Sequence, residues 1–203
     1  MFITNNFLSD LLPEYFNRYP KIELELVVSD HFIDLVDRGF DLAIRAGELK
    51  GSTLVVRKLM DVELVLVATL LYPEQHGRPK TVSDLKAHNC LIDTTSSYKN
   101  HWPVADKKNG KYVTVEGNVR ANSGETVRSL ALSGRGIALM PKFFFARDIY
   151  EGRLASFLDS KIQFSGGIFA AYPQRKHLSP NVRSFIDYLV GYIDQLELLC
   201  HKQ

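Results

Sequence analysis

Two α/β lobes are what this sequence predicts, and three observations lead there. Apolar runs of period two alternate with apolar runs at helical spacing along the whole chain. One pattern occurs twice: Val27-Val28-Ser29 enters a helix that ends at Gly39-Phe40-Asp41-Leu42-Ala43-Ile44, and Ala121-Asn122-Ser123 enters one that ends at Gly134-Arg135-Gly136-Ile137-Ala138-Leu139. The composition then changes around Leu71-Tyr72-Pro73, where a second region starts. At 203 residues, 45% of them hydrophobic, the chain can fill the core of one large domain or two small ones.

Each element has a local reason. Behind Thr4-Asn5-Asn6, whose side chains suit an N-cap, Phe7, Leu8, Leu11, Leu12, Tyr15 and Phe16 recur at helical spacing, so a first amphipathic helix is expected with Pro13 in its early turns. Ile22, Leu24, Leu26 and Val28 alternate with Glu23 and Glu25, a strand pattern. Ser29-Asp30 is placed to cap a short helix bearing Phe32, Leu35 and Val36, and Gly39 to end it in the left-handed conformation. Residues 41–45 read as the next strand; strand, helix and strand in so few residues predict a parallel pair with a right-handed crossover. Strands follow at 54–59 and 62–68.

In the second region, residues 81–87 read as a short capped helix and 90–92 as a strand. Lys108-Asn109-Gly110-Lys111 has the residues of a hairpin turn between strands at 102–104 and 112–115. Residues 119–121 form a strand, and Ser123 caps a helix carrying Val127, Leu130 and Ala131 that Gly134 closes. A buried strand at 137–140 is stopped by Pro141, before a helix through Phe144, Phe145 and Ile149. Gly166-Gly167 leads into a strand at 168–172 that Pro173 ends. The last helix opens with Ser179 as N-cap and Pro180 at its first position, and its inner face carries Val182, Phe185, Ile186, Leu189 and Ile193.

Charge and motifs narrow the function. A formal charge of +2, from 25 basic and 23 acidic residues, supplies no electrostatic footprint for nucleic acid, and the short basic spots at Lys107-Lys108 and Arg175-Lys176-His177 read as solvated loops. Cys90 and Cys200 make neither a disulfide framework nor a metal-ligand spacing, which fits a reducing compartment. No window approaches the ~18 apolar residues of a membrane span, and MFITNNFLSD lacks the basic and apolar segments of a signal peptide. The chain has no nucleophile elbow, HExxH, P-loop or CxxC; its six histidines are scattered, and no cofactor or metal is expected. What remains is a set of short polar turns at the carboxyl ends of predicted strands: Ser29-Asp30-His31, Arg45-Ala46-Gly47, Thr94-Thr95-Ser96 and Asn122-Ser123-Gly124. Such turns hold small polar or anionic molecules by amides, hydroxyls and, at Arg45, a guanidinium. For Arg45 a structural ion pair with Asp30 or Glu48 is the equal alternative; for each Ser or Thr alone plain helix capping is the stronger reading, and only the four turns together favour a shared cleft.

Six blocks carry a resemblance that covers nearly the whole chain: FLSDLLPEYFNRYPKIELELVVSD, DLVDRGFDLAIRAGE, VRKLMDVELVLVAT, TVSDLKAHNCL, VRANSGETVRSLALSGRGIALMP and HLSPNVRSFIDYL. In this order they resemble the effector-binding domain of LysR-type transcriptional regulators, with GFDLAIRAGE and GRGIALMP the most distinctive. The resemblance implies two Rossmann-like lobes joined by two crossover strands, the type II periplasmic-binding-protein architecture. Residues 1–69 with 169–203 would form lobe I and 70–168 lobe II, with crossings near Ala68-Thr69 and residues 168–172.

It further implies a small polar or anionic effector between the lobes, hinge closure as the switch, a homodimer or homotetramer, and a place in the bacterial cytoplasm. DNA would be met only through a winged helix-turn-helix that these residues do not include; most of the usual first strand is also outside them. Carried over by position, the effector contacts would be Thr4, Asn5, Asn6, Ser29, Asp30, His31, Arg45, Gly47, Thr94, Thr95, Asn122, Ser123, Gly124 and Glu125, with Tyr172 from the second crossing. Tyr15, Phe16 and the helix from Ser123 to Ser133 would lie toward a dimer partner or, equally, in the core. A solute-binding protein of a transport system shares the architecture, and a small α/β enzyme acting on a carboxylate is the other alternative; the first would need a signal peptide, the second a paired acid and base.

Overall fold

The apolar spacing of the first and last helices has a common cause. The computed structural model describes residues 8–29, 34–47, 54–106, 110–174 and 178–200. In chain order these form α1 (Ser9–Arg18), α2 (Leu35–Arg38), β1 (Ala43–Gly47), β2 (Val55–Asp61), β3 (Leu64–Thr69), α3 (Tyr72–His76), β4 (Cys90–Asp93), β5 (His101–Asp106), β6 (Gly110–Thr114), β7 (Val119–Ala121), α4 (Gly124–Leu132), β8 (Ile137–Pro141), α5 (Lys142–Tyr150), β9 (Leu154–Phe157), β10 (Gly167–Tyr172) and α6 (Pro180–Cys200). Leu11 and Tyr15, four apart on α1, are buried, and Phe185, Ile186, Leu189 and Ile193 make the matching buried stripe on α6. The Tyr15 ring meets Phe185 edge-on at 5.1 Å between centroids, and its hydroxyl lies 3.2 Å from Ser184 Oγ. Tyr15 is therefore core, whereas Phe16 is more than a third exposed.

The two chain ends thus share one unit, Met1–Asp61 with Gly166–Gln203, and Val62–Ser165 forms another. Both divisions fall ahead of residues 69 and 168. The reason is pairing: β3, with residues 64–68 all buried, is hydrogen-bonded to β8 and β9 inside the second unit.

The first unit contains an antiparallel sheet of order β1-β10-β2. Two expectations fail here. Residues 22–28 form no strand; Leu24, Leu26, Val27 and Val28 are exposed, because alternation says which face a strand would offer but supplies no neighbour to bond. Among the described residues no parallel pair forms with β1, which pairs with β10, running antiparallel with Ala43 opposite Ala171 and Gly47 opposite Gly167. The short helix α2 starts later than expected, capped by Asp34, whose carboxylate accepts from the N–H groups of Val36 (2.8 Å) and Asp37 (3.2 Å). Gly39 ends it with φ at +71°, in the left-handed region that favours glycine. Thr4-Asn5-Asn6 and Asp30, expected as caps, lie outside the described residues.

The second unit is built on a five-stranded sheet of order β7-β4-β8-β3-β9. β4 is parallel to β7 and to β8, so the strands flanking α4 are separated by β4 rather than adjacent. The expected repeat therefore survives here only as a split βαβ unit. The hairpin β5–β6 forms as expected, with its tip at 107–109 outside the described residues, and buries Trp102, whose indole N–H donates to the Lys99 carbonyl at 3.1 Å. Residues 82–87 make a 3₁₀ rather than an α turn, tied at its start by the Asp84 carboxylate, which accepts from the Thr81 N–H at 2.9 Å. α3 and β9 have no counterpart in the sequence reading.

Gly117 lies against the start of β4, where an added Cβ would fall on the Cys90 carbonyl oxygen. Gly117→Ala is expected to destabilise the second unit by about 1–3 kcal/mol, since backbone rather than a flexible side chain must move; urea unfolding followed by Trp102 fluorescence measures it.

Candidate functional site

Parallel pairing places two predicted turns side by side. β4 and β7 run together with Asp93 opposite Ala121, so the residues that follow them, Thr94-Thr95 and Asn122-Ser123, leave the same end of the sheet. They are tied there: the Thr94 N–H donates to the Ala121 carbonyl at 2.8 Å, and the Thr94 hydroxyl donates to the same oxygen at 3.1 Å. The Asp93 carboxylate accepts from both the N–H (2.8 Å) and the hydroxyl (2.7 Å) of Thr95, and the Ser96 hydroxyl donates to the Asp93 carbonyl at 2.9 Å. Ser123 caps α4, its hydroxyl oxygen accepting from the Thr126 N–H at 3.3 Å.

This geometry sets what each group still offers. The Thr94 and Thr95 protons are used internally, leaving lone pairs that accept. The Ser123 hydroxyl keeps its proton to donate, beside the positive end of α4, where the Gly124 and Glu125 N–H groups have no partner among the described residues. Asn122 is exposed and adds an amide. Glu125 is engaged elsewhere, accepting from Arg128 at 3.0 Å. The turn pair can therefore hold a small ligand with both an acceptor group and a donor group.

What holds α4 in place is a charge cluster that pattern reading missed. Asp148 on α5 is fully buried and receives two charge-assisted hydrogen bonds from Arg128, Nε at 2.6 Å and Nη2 at 2.8 Å, and forms an ion pair with Arg153 at 2.6 Å. Hydrogen bonding to Asp148, then to Glu125, raises the Arg128 pKa further. The sequence signal was a lone acid within the apolar run Phe143-Phe144-Phe145-Ala146-Arg147-Asp148-Ile149. Nearby, Tyr98 donates to the Leu139 carbonyl at 3.4 Å, and burial raises its pKa. Cys90 is a buried free thiol, pushed up to about 12 by burial, and so chemically quiet.

In the first unit, Arg45, Ala46 and Gly47 are the last residues of β1, with Arg45 opposite Phe169 and Gly47 opposite Gly167. Arg45 is half-buried; burial lowers its pKa, while the negative charge of Asp34 acts to raise it. Asp34 is thus an acid that bears on Arg45; Asp30 and Glu48, named from the sequence as its ion-pair partners, lie outside the described residues. Ser29 is exposed. Tyr172 pairs with Val55 at the far end of β10 from Gly167, on the order of 17 Å away along the strand, so the sheet does not bring it to Gly47. Thr4, Asn5, Asn6, Asp30 and His31 lie outside the described residues.

Residues 1–193 match the LysR substrate binding domain. The chain belongs to that family. Among characterised relatives it is 38% identical over 184 residues to the HTH-type transcriptional regulator CrgA of Neisseria meningitidis serogroup C (strain 8013), covering 90% of this chain and 61% of that regulator. The chain thus spans less than two thirds of that relative. Its fold is similar to the CrgA regulatory domain from Neisseria meningitidis, with a TM-score of 0.84 at 35% identity over 94% of each chain. It is also similar to the full-length Vibrio cholerae virulence activator AphB, with a TM-score of 0.81 at 28% identity over 94% of this chain and 65% of that one. The two-lobed type II periplasmic-binding-like α/β class read from the sequence is therefore the fold of this LysR domain. Among its described residues no three His, Cys, Asp or Glu side chains gather as a metal site, and no helix is long and apolar enough to cross a membrane.

Removing the buried acid tests the support of the turns. Asp148→Ala is expected to cost about 3 kcal/mol, the lower end for a broken buried pair because Arg153 is nearly half exposed and can rehydrate. Thermal melts of the wild-type and variant chains give the difference.

Proposed function

We propose that this LysR domain senses a small polar or anionic molecule and passes its occupancy to a DNA-binding segment outside these residues. The effector would touch the Thr94-Thr95 and Asn122-Ser123-Gly124 turns of the second unit and Arg45 of the first. The observation that carries the reading is the junction of the two turns at the shared end of β4 and β7, where the Ser123 hydroxyl and the N–H groups of Gly124 and Glu125, without a partner among the described residues, stand together at a helix start. Family membership supports the sensing role. Because a ligand shifts an equilibrium only by its differential affinity, one that bears on both units would bias their arrangement.

The full protein would act without catalysis in the cytoplasm, as a homodimer or homotetramer on DNA, in keeping with the regulators it resembles. Thr4, Asn5, Asn6, Ser29, Asp30, His31, Gly47, Glu125 and Tyr172 belong to the same proposal as effector contacts. Of these, Glu125 and Tyr172 have the least support, one being engaged with Arg128 and the other lying far along β10.

A thermal-shift screen of small carboxylates and sugars tests the reading. A ligand at about 100 times its Kd adds about 2.7 kcal/mol of stability, enough to raise Tm by several degrees. Ser123→Ala should lose most of that shift while costing about 1 kcal/mol as a cap, and Arg45→Ala should weaken binding with little change in the ligand-free Tm. A stabilising ligand that both variants bind as the wild type does would refute the assignment. A large fall in Tm with unchanged affinity in Arg45→Ala would make that residue structural.

A further inference from the structure

Strand β4 parts from its two neighbours at different points. Beside β7 it runs to Asp93, opposite Ala121, but beside β8 its pairing ends at Leu91, opposite Ala138. The next residue along β8 is Leu139, and its carbonyl is met by the Tyr98 hydroxyl, which donates to it at 3.4 Å. Tyr98 comes from the loop that carries Thr94 and Thr95, so a side chain of that loop stands where the β4–β8 ladder stops. Its bond is longer than the usual ~2.7–2.8 Å between hydroxyl and acceptor oxygens, and leaves the ring room to move. Burial, then the charge of Asp93, raises the Tyr98 pKa while Ser96 acts the other way, so the hydroxyl stays a neutral donor.

The loop has little slack between the turn and this ring. The Ser96 hydroxyl, which donates to the Asp93 carbonyl, accepts from the Lys99 N–H at 3.0 Å. Lys99 is held with φ at +43°, a conformation that costs a residue with a side chain on the order of 1 kcal/mol. Its carbonyl accepts from the Trp102 indole, and the Tyr98 carbonyl accepts from the His101 N–H at 2.7 Å. Backbone bonds therefore fix the chain on both sides of Tyr98.

The Tyr98 ring also meets Phe164 edge-on, 6.0 Å between centroids with the planes at 76°. Both rings belong to the second unit, whose last residue is Ser165. Phe164 thus lies on the segment by which the chain leaves that unit, a segment fixed upstream where Ile162 bridges Val104 of β5.

We propose that Tyr98 is a positioning residue of the effector site: it sets the Thr94-Thr95 turn against β8 and, through Phe164, passes a change at that turn to residues 162–166, where the chain leaves the second unit. The proposal rests on the reading of that turn as an effector contact and adds how its occupancy is reported. Packed rings carry such a change only if they move together, which is what the short route from turn to Tyr98 to Phe164 provides.

Amide spectra of the isotope-labelled whole chain test this without any effector. Thr95→Val removes the hydroxyl that Asp93 holds and should move the Phe164 and Gly166 amide signals. Tyr98→Leu or Phe164→Leu, each combined with Thr95→Val, should abolish the movement at Gly166, and Tyr98→Phe, which keeps the ring edge, should preserve it. Phe164 is only half-buried, so Phe164→Leu gives an answer even if Tyr98→Leu does not fold. Signals at Phe164 and Gly166 that ignore Thr95→Val would leave Tyr98 a packing residue and overturn the proposal. A response at Gly166 that persists in both leucine backgrounds would overturn it too, in favour of a route through the Ile162–Val104 bridge. Titration with inorganic phosphate checks the underlying reading separately, since an anion at the start of α4 should move the Gly124 and Glu125 amide signals. No movement there beside an intact Thr95→Val response would count against the turns as an effector site, while the link through Tyr98 would stand.

Discussion

Strand β4 is bonded on both sides, to β7 and to β8, with all three strands running the same way. Parallel strands cannot be joined by tight turns, so the chain leaves and returns through helices and loops, and every loop that follows these strands emerges at one end. That constraint brings Thr94 within hydrogen-bond reach of Ala121 and sets Ser123 at the head of α4 next to it. The antiparallel strands β3 and β9 then complete the sheet on its other side, where the five apolar residues Leu64 to Ala68 are buried on both faces. A sheet covered in this way has little freedom to shift the turns it carries.

The helix that follows the sheet is fixed by charge rather than by apolar area alone. Asp148 has no access to water, and two short hydrogen bonds from Arg128 with an ion pair to Arg153 replace its hydration. Such a cluster tolerates little displacement, because a buried carboxylate that loses a partner has nothing else to accept from. Arg128 also holds Glu125, so the acid in the first turn of α4 is turned to its own helix and its charge is partly offset. The polarity at the start of α4 is thus governed by a residue on α5, a relation invisible in local sequence.

Where the sequence was legible, the information was local. Gly39 and Gly134 end their helices at φ values that favour glycine, Ser123 caps the helix it precedes, and the apolar stripe of α6 faces inward as its spacing requires. Where reading failed, the answer lay in a distant partner. Residues 22–28 alternate as a strand does, yet a strand exists only through bonds to a neighbour, and the described residues supply none. Residues 41–45 were read as the second half of a parallel pair, while the partner of β1 is β10, more than a hundred residues later. Tyr172 was grouped with Arg45 and Gly47 by its nearness to a crossing, and antiparallel register carried it to the other end of the strand.

By itself, the sequence determined the class of the fold, the family and the identity of the turns, since these depend on periodicity, caps and the order of blocks along the chain. The tertiary structure alone decided which turns meet, that the charge of Asp34 bears on Arg45, and that Asp148 anchors α4. The physical reason is that hydrogen-bond partners and charge neighbours are set by strand order and register, quantities that link residues tens to more than a hundred positions apart and leave no periodic trace in the chain.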